Sequence, residues 1–347
     1  MPDIMPGEIL FENSNTPALL PEVSPLIERA VILAIGSPNH RSLLTYNRTH
    51  AMLPALGKPL VARAMDRLHR AGIREFTIVI GENEGAVAAY LNAQWVPNAK
   101  VDFLLKSSTD SLHSLLSQVA RNYGKPFIVC SYNSFTHTNF PESLIRQHND
   151  YQNQLVLGGA TNTLSKSQQH YFAMMDGQKV REITQAAPID QSGFTLTDLA
   201  VCGKDFVQYL AEPPTSQNGT FNWQFMDIAK RYIHTGGSAV VTETSWILQI
   251  EADRDLLTLN KHLLNEGQDN HILSEIPYTV QIIPPVRVDP QVSVGQGAKI
   301  GPHVYLERGC SIGHEVVLRN AIILEKAVVP ARKTVYDTII STRGPIP

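Results

Sequence analysis

The sequence predicts an α/β protein with two domains, a Rossmann-like domain followed by a left-handed β-helix. Two patterns predict this fold class. From Arg29 onward, apolar strands alternate with amphipathic helices, which is typical of a mostly parallel sheet flanked by helices. From Val288 onward, aliphatic residues recur at a spacing of six, which is typical of a β-helix. A chain of 347 residues has room for both domains.

The elements of the first domain follow from its apolar patterning. Residues 30–35 form a continuous apolar run, as expected of a parallel strand that is buried on both faces. Apolar residues from Leu60 to Ala71 recur at helical spacing, and Gly72 is expected to end that helix. The pattern weakens between 150 and 245, where we expect mixed strands and insertions. Further strands are predicted at 76–80, 101–105 and 127–130, and further helices at 84–93, 111–123 and 253–265.

The six-residue repeat defines the second domain. In each coil of a β-helix, the aliphatic residue points into a narrow interior and a small or branched residue fits the corner. Gly295, Gly301 and Gly313 follow directly after three of the aliphatic residues, and glycine tolerates the turn conformation there. The repeating aliphatic residues are Val288, Val294, Ile300, Leu306, Ile312, Leu318 and Leu324, and their partners are Val292, Ala298, Val304, Cys310, Val316, Ile322 and Val328.

These patterns divide the chain into five segments. Residues 1–28 contain five prolines and little periodicity, so we expect an extended or partly disordered arm. Residues 29–265 form the Rossmann-like domain, 266–285 a linker, 286–341 the β-helix and 342–347 a tail.

Composition excludes several classes of function. A net charge of -3 and a charged fraction of 18% give no electrostatic signature of binding to nucleic acid or to an anionic membrane. The sequence has no secretory start and no long apolar run. The three cysteines are widely spaced in apolar stretches, as expected of a cytoplasmic protein.

The segment 30–60, AVILAIGSPNHRSLLTYNRTHAMLPALGKPL, resembles the sugar-1-phosphate nucleotidyltransferases, which join an NTP to a sugar phosphate. The family pattern begins A-V-I-L-A-A-G-x-G-T-R-L and ends G-K-P-L. Gly36, Thr45, Leu53-Pro54 and 57–60 keep its register without gaps. The segments LHRAGIREFTIVIG, FAMMDGQKVREI and WILQIEADRDLL extend the resemblance over residues 29–341.

The resemblance implies a glycine-rich turn whose backbone N–H groups bind the triphosphate. The turn residues here are Ala34, Ile35, Gly36, Pro38 and Asn39. Pro38 replaces the second glycine and has no N–H group. His40 replaces the family's arginine and His50 its lysine, and we expect both histidines to contact phosphate weakly or to be surface loop residues. Arg41 lies one position past the arginine, where it would substitute in a shifted loop or remain a solvated cation.

The resemblance also implies two aspartates that hold Mg²⁺. Asn133 and Gln249 occupy these positions, and both are neutral amides, whereas Mg²⁺ is ordinarily held by carboxylates. Glu251 lies two residues further and is a candidate displaced carboxylate. The segments that contact the sugar phosphate in the family read Gln185-Ala186-Ala187 and Thr197-Asp198-Leu199. Magnesium is therefore expected only if the protein is active.

Three functions remain open. The first is a catalytically degenerate homologue that serves as a regulatory or structural subunit or binds a nucleotide sugar, with the β-helix forming homo- or hetero-oligomers. The second is an active nucleotidyltransferase with a rewired site that uses Arg41, Lys58 and Glu251. The third is a scaffold that binds no nucleotide. We expect His303 and His314 to be ordinary surface histidines.

Overall fold

The computed structural model describes residues 27–36, 42–95, 97–164, 170–186, 193–212, 224–267 and 269–346. The arm at 1–28 and the polar loop after 212 therefore lie largely outside the described residues. The helices are α1 Leu60–Arg70, α2 Gly85–Gln94, α3 Leu112–Tyr123, α4 Phe140–Asp150, α5 Lys204–Ala211, α6 Phe225–His234 and α7 Asp253–Asn265. Short 3-10 turns span Leu43–Tyr46 and His50–Met52.

The strands of the N-terminal domain build a central sheet and two small accessory pairs. They are β1 Arg29–Ala34, β2 Pro54–Ala55, β3 Lys58–Pro59, β4 Glu75–Gly81, β5 Lys100–Lys106, β6 Phe127–Ser131, β7 Ser134–Thr136, β8 Leu155–Ala160, β9 Phe172–Asp176, β10 Lys179–Thr184, β11 Gly193–Cys202, β12 Ala239–Glu243 and β13 Ile247–Gln249. The order of the central sheet is β5-β4-β1-β6-β11-β8-β12-β10-β9. β5, β4, β1 and β6 are parallel, and β11 runs antiparallel to both β6 and β8. The Rossmann-like prediction is thus confirmed, and β1, in the parallel half, leads into the segment that aligns with the family's glycine-rich turn.

Alternation along β1 explains why helices cover both faces of the sheet. Ala30, Ile32 and Ala34 pack into a core with α1, α2, α4 and α7. Val31 and Leu33 face the opposite core, which α3, α5 and α6 complete. Both faces are buried, and this is why the strand reads as an unbroken apolar run. Gly72 follows α1 with a φ of 102°, as expected of a residue that ends a helix in the left-handed region.

Parallel strands stack into a β-helix in the C-terminal domain. Val286 pairs with Val304 and Ser293 with Ser311, so each coil takes three hexapeptides. The strands are β14 Gln281–Ile282, β15 Val286–Val288, β16 Ser293–Val294, β17 Lys299–Ile300, β18 Val304–Leu306, β19 Ser311–Ile312, β20 Val317–Ile323, β21 Val328–Val329, β22 Thr334–Ser341 and β23 Gly344–Ile346. β14 lies in the segment expected to be a linker and pairs with β17, while β23 lies in the expected tail and pairs with β22.

The prediction of a strict six-residue period is wrong after Leu318. Leu306 pairs with Ile323, not with Leu324, so one corner is a residue shorter than the corner below it. Asn320 turns this corner with a φ of 46°, a conformation that asparagine tolerates better than most residues. As a consequence Val328, expected at an interior corner, is 63% exposed, and Val329 lies inside.

The shortened coil also changes which apolar residues face the N-terminal domain. Tyr305, Ile322 and Ile339 stack in register on neighbouring strands. They pack into the same core as α7, and Leu324 joins them. Ile322 and Leu324 therefore hold the two domains together and do not fill the β-helix.

Candidate functional site

The residues predicted to bind nucleotide lie at the carboxyl-terminal edge of the parallel half of the sheet. β1 ends at Ala34, and Ile35 and Gly36 continue past the edge. β6 lies beside β1 and ends two residues before Asn133. Ligands of open α/β sheets bind at this edge. Pro38, Asn39, His40 and Arg41 lie outside the described residues.

The chain after the turn is fixed to the start of α7. The Ser42 hydroxyl donates a hydrogen bond to Asp253 Oδ1 at 2.5 Å, and the Leu43 N–H donates to Asp253 Oδ2 at 2.9 Å. Asp253 is the first residue of α7, where a carboxylate also interacts favourably with the helix dipole. One side chain thus joins the turn region to the helix that follows β13.

His50 is buried, and the expectation of a surface loop histidine is wrong at this position. The 3-10 turn that it begins packs Ala51 and Leu53 into the core, and this draws the imidazole inward. Its Nδ1 lies 2.8 Å from the Tyr132 hydroxyl. An imidazole held in this way is in a poor position to replace a mobile lysine at a phosphate.

Glu84 is a buried carboxyl group beside the turn that sequence reasoning missed. A Cβ atom at Gly36 would lie 2.9 Å from Glu84 Oε1, so the glycine leaves room for the carboxyl group. Burial raises the pKa of Glu84, and the Thr49 hydroxyl partly opposes the rise. Within the described part of the chain, Oε2 has no hydrogen-bond partner. Glu84 lies just past the end of β4, at the same edge of the sheet, and this position could have identified it from the sequence.

Asn133 and Gln249 lie together, as the family register implies. Gln249 Nε2 donates to Asn133 Oδ1 at 3.4 Å, and Asn133 Oδ1 also accepts from the Ser131 hydroxyl at 2.7 Å. Asn133 Nδ2 donates to the Ile250 carbonyl at 3.1 Å. Gln249 Oε1 accepts from the Ser134 hydroxyl at 2.8 Å. The two amides thus satisfy each other and their surroundings as neutral groups.

This network does not fit a magnesium site of the kind that the family implies. A cation would have to compete with Ser131 and Gln249 for Asn133 Oδ1, and neither amide would balance its charge. Among the residues that the structure describes, no group of three or more histidine, cysteine, aspartate or glutamate side chains could hold a metal ion.

Two carboxylates flank Gln249. Gln249 also lies near Asp198 on β11. Burial raises the pKa of Asp198 to about 6, the nearby Gln249 amide opposes the rise, and the charges of Glu251 and Asp227 add to it. Glu251 lies near Asp198, and its backbone N–H donates to Asp255 Oδ2 at 3.0 Å. The sequence alone identified Asp198 only as part of the Thr197-Asp198-Leu199 segment, where the family motif is changed, and not as a possible site carboxylate.

None of the described residues at the sugar-phosphate positions is cationic. Gln185 lies near Tyr171, whose hydroxyl donates to Asp227 Oδ1 at 2.7 Å. The Ala186 N–H donates to the Thr184 hydroxyl at 3.1 Å, and Ala187 lies outside the described residues.

Lys58 does not join this site. Its Nζ lies 2.6 Å from Asp66 Oδ2 on α1, and Asp66 also accepts from the Trp95 indole at 2.8 Å. The lysine is therefore neutralised at the start of α1.

The fold and the position of this polar site define a nucleotidyltransferase-type α/β protein with an appended β-helix. Residues 29–185 match the family model of nucleotidyl transferases, and residues 282–346 match the model of the GMPPB C-terminal domain. These two matches support a relation to the sugar-1-phosphate nucleotidyltransferase family. Members of this family bind nucleotide and sugar phosphate.

A solved structure shows the same fold. A Bacillus anthracis protein described as a glucose-1-phosphate thymidylyltransferase, in complex with sucrose, superposes with a TM-score of 0.58 at 16% identity. The match covers 71% of this chain and 97% of that chain. No curated protein sequence matches this chain. None of the described helices has the length and apolar character needed to cross a membrane.

Proposed function

We propose that this protein is a catalytically degenerate nucleotidyltransferase homologue that binds a nucleotide or nucleotide sugar without transferring it. Its role would be that of a regulatory or structural subunit. The observation that carries the proposal is the hydrogen bond from Gln249 Nε2 to Asn133 Oδ1 at 3.4 Å. Two ionised carboxylates could not form this bond, because neither has a hydrogen to donate. The two amides carry no charge, so the pair requires no cation.

The charge balance of the site supports the loss of catalysis. Phosphoryl transfer depends on cations that stabilise the charge of the transition state. Removal of one preorganised charged group typically costs about 3–4 kcal/mol of that stabilisation. Here the family's arginine and lysine positions hold His40 and His50, the metal positions hold amides, and Glu84 adds an acidic group beside the turn.

The ends of the β-helix support the role in assembly. β21 is the end strand of the sheet β16-β19-β21 and pairs along one edge with β19, and its first residue, Val328, is 63% exposed. An open strand edge beside an exposed aliphatic side chain favours pairing with another subunit. A cytoplasmic location belongs to the same proposal and is supported by Cys130, Cys202 and Cys310, which are free and buried.

The test has two arms on the full-length protein. The first measures pyrophosphate release from NTPs and sugar 1-phosphates with Mg²⁺, and we expect none above the background without enzyme. The second is a thermal-shift screen of NDP-sugars with EDTA, in which a ligand at a hundred times its Kd stabilises the protein by about 2.7 kcal/mol. Pyrophosphate release by the protein alone would overturn the proposal that it is catalytically degenerate. If no ligand shifts the thermal transition, the protein binds no nucleotide and the scaffold function is the one that remains.

A second candidate, an active enzyme with a rewired metal site, is favoured by Asp198 and Glu251. These carboxylates lie beside Gln249 and close enough for their charges to interact. If they hold Mg²⁺, substitution of Asp198→Asn or Glu251→Gln will abolish Mg²⁺-dependent nucleotide binding. Lys58, which this alternative also invoked, is paired with Asp66 and is available only if that ion pair opens.

A further inference from the structure

A cavity of about 390 Å³ lies between α7 and the β-helix, away from the candidate site. Lys261 contributes one wall from the last turns of α7. The other wall comes from three successive corners of the β-helix, which carry Pro302-His303, Arg319-Asn320 and Tyr336-Asp337. The cavity is therefore built from both domains.

Backbone pairing fixes the shape of the β-helix wall. The Asn320 N–H donates to the Pro302 carbonyl at 2.9 Å, and Arg319 pairs in register with Tyr336. His303 Nε2 lies 2.7 Å from Asn265 Oδ1 at the end of α7, and this contact ties the corner to the helix. These contacts hold the corner and the helix in place, which limits the reorganisation that a ligand would require.

The lining is positively charged. Lys261 and Arg319 act on His303 with charges of the same sign, and neither has an ion-pair partner among the residues described. The one acidic side chain of the lining, Asp337, accepts a hydrogen bond from Asn320 Nδ2 at 2.5 Å. Burial and these two cations lower the pKa of His303, which favours its neutral form. Two cations against the single Asp337 carboxylate still leave the lining with a net positive charge, which attracts an anion.

We propose that this cavity binds a small phosphorylated molecule, a phosphomonoester or a pyrophosphate. Its volume lies within the usual range of small-molecule sites, about 300–1,000 Å³. Lys261 and Arg319 would contact the phosphate oxygens through charge-assisted hydrogen bonds. The Tyr336 ring, 52% exposed at the rim, offers a flat apolar surface to the organic part of the ligand.

One helix joins this cavity to the candidate site. The first turn of α7 carries Asp253, which binds Ser42, and Asp255, which binds the Glu251 backbone. Its last turns carry Lys261 and Asn265. A ligand in the cavity therefore contacts the element whose other end positions the candidate site.

The binding test uses inorganic phosphate, pyrophosphate and glucose 1-phosphate as probes, titrated into the full-length protein by calorimetry. The cavity variant is Lys261→Gln with Arg319→Gln. Its matched control, Lys299→Gln with Lys333→Gln, removes two exposed charges from the β-helix outside the cavity. We expect pyrophosphate affinity to fall at least tenfold in the cavity variant and to change less than twofold in the control.

Three outcomes overturn the proposal. The first is that no probe binds the wild-type protein at about 10 mM, a concentration that corresponds to a binding free energy of under 3 kcal/mol. The others are an unchanged affinity in the cavity variant and an equal loss of affinity in the control variant. Binding of sulfate as tightly as phosphate also counts against a built phosphate site. If the double variant is less stable than the wild type, the single variant Lys261→Gln takes its place in the titrations. Lys261 and Arg319 lie outside the candidate site, so the result does not depend on the proposed function.

Discussion

The hydroxyl of Tyr305 in the β-helix accepts a hydrogen bond from the backbone N–H of Gly57 at 3.0 Å. The same hydroxyl donates to Asp289 Oδ2 at 2.8 Å, and Tyr305 is only 1% exposed. Gly57 has a φ of 79° and lies at the turn of the G-K-P-L motif, and a Cβ atom there would lie 2.3 Å from an Arg287 nitrogen. The family motif of the first domain is thus bonded directly to the second domain.

Tyr305→Phe is expected to destabilise the protein by about 1–3 kcal/mol, because a buried donor and a buried acceptor lose their partner. Urea unfolding measures the change as a lower midpoint. Tyr278→Phe is the control, since Tyr278 is 99% exposed, and it should unfold like the wild type. Equal midpoints for the two variants would show that the hydroxyl contributes nothing to the domain contact.

Arg48→Ala is expected to cost about 3 kcal/mol or more, because it leaves a buried carboxylate unpaired. Arg48 Nη1 lies 3.0 Å from Glu307 Oε1, and Glu307 is 9% exposed. Burial raises the pKa of Glu307, and Arg48 opposes that rise.

A second substitution, Glu307→Gln in the Arg48→Ala background, should recover part of the loss, since an amide needs no counter-charge. Arg332→Ala breaks an exposed pair with Glu315 and should cost under about 1 kcal/mol. Chemical denaturation of the four proteins gives these differences. If Glu307→Gln fails to improve on Arg48→Ala, the ion pair is not the cause of the loss.

Asn133→Asp with Gln249→Glu tests whether the amide pair replaces a metal. The substitutions keep the shape but remove the donors to Asn133 Oδ1 and to the Ile250 carbonyl, and they place two like charges together. We expect a loss of about 2–4 kcal/mol in EDTA. Mg²⁺ should restore part of the loss in the variant and leave the wild type unchanged.

The matched control for that pair is Asn83→Asp with Gln118→Glu, which adds the same two charges at exposed positions. Thermal unfolding with and without Mg²⁺ separates the two cases. Stabilisation of the wild-type protein by Mg²⁺ to the same extent as the variant would contradict a metal-free amide pair.

His148 should make the protein less stable in mild acid. The side chain is fully buried on α4, neither ring nitrogen has a hydrogen-bond partner among the described residues, and burial lowers its pKa. The unfolded chain therefore binds the proton more readily, so stability is highest above the ordinary histidine pKa of about 6.5 and falls as pH drops through the folded pKa.

His148→Leu should remove this part of the pH dependence, whereas His271→Leu, at an exposed position, should keep it. The measurement is the unfolding free energy in urea between about pH 5 and 8, where an ordinary histidine titrates. Parallel pH profiles for the wild type and His148→Leu would rule out His148 as the source.

Local sequence patterns correctly predicted the features that depend on residue spacing along one strand or helix, or on alignment with the family motif. The run at β1, the cap at Gly72 and the meeting of Asn133 with Gln249 follow from spacing along strands and helices or from the family motif. Side chains from different loops were not predictable in this way. Glu84 was missed because its burial depends on Gly36, and His50 was misplaced because its burial depends on Tyr132.

The sequence by itself determined the fold class, the order of the two domains and the chemical neutrality of the metal positions, because each is encoded in residue type and spacing. Only the tertiary structure decided what those residues contact. The shortened corner at Asn320 turns Ile322 toward the first domain. The Gln249 amide lies between Asn133 and Asp198, and Lys58 pairs with Asp66. These contacts join residues far apart in the chain, so they depend on how the strands and helices pack and not on any local pattern.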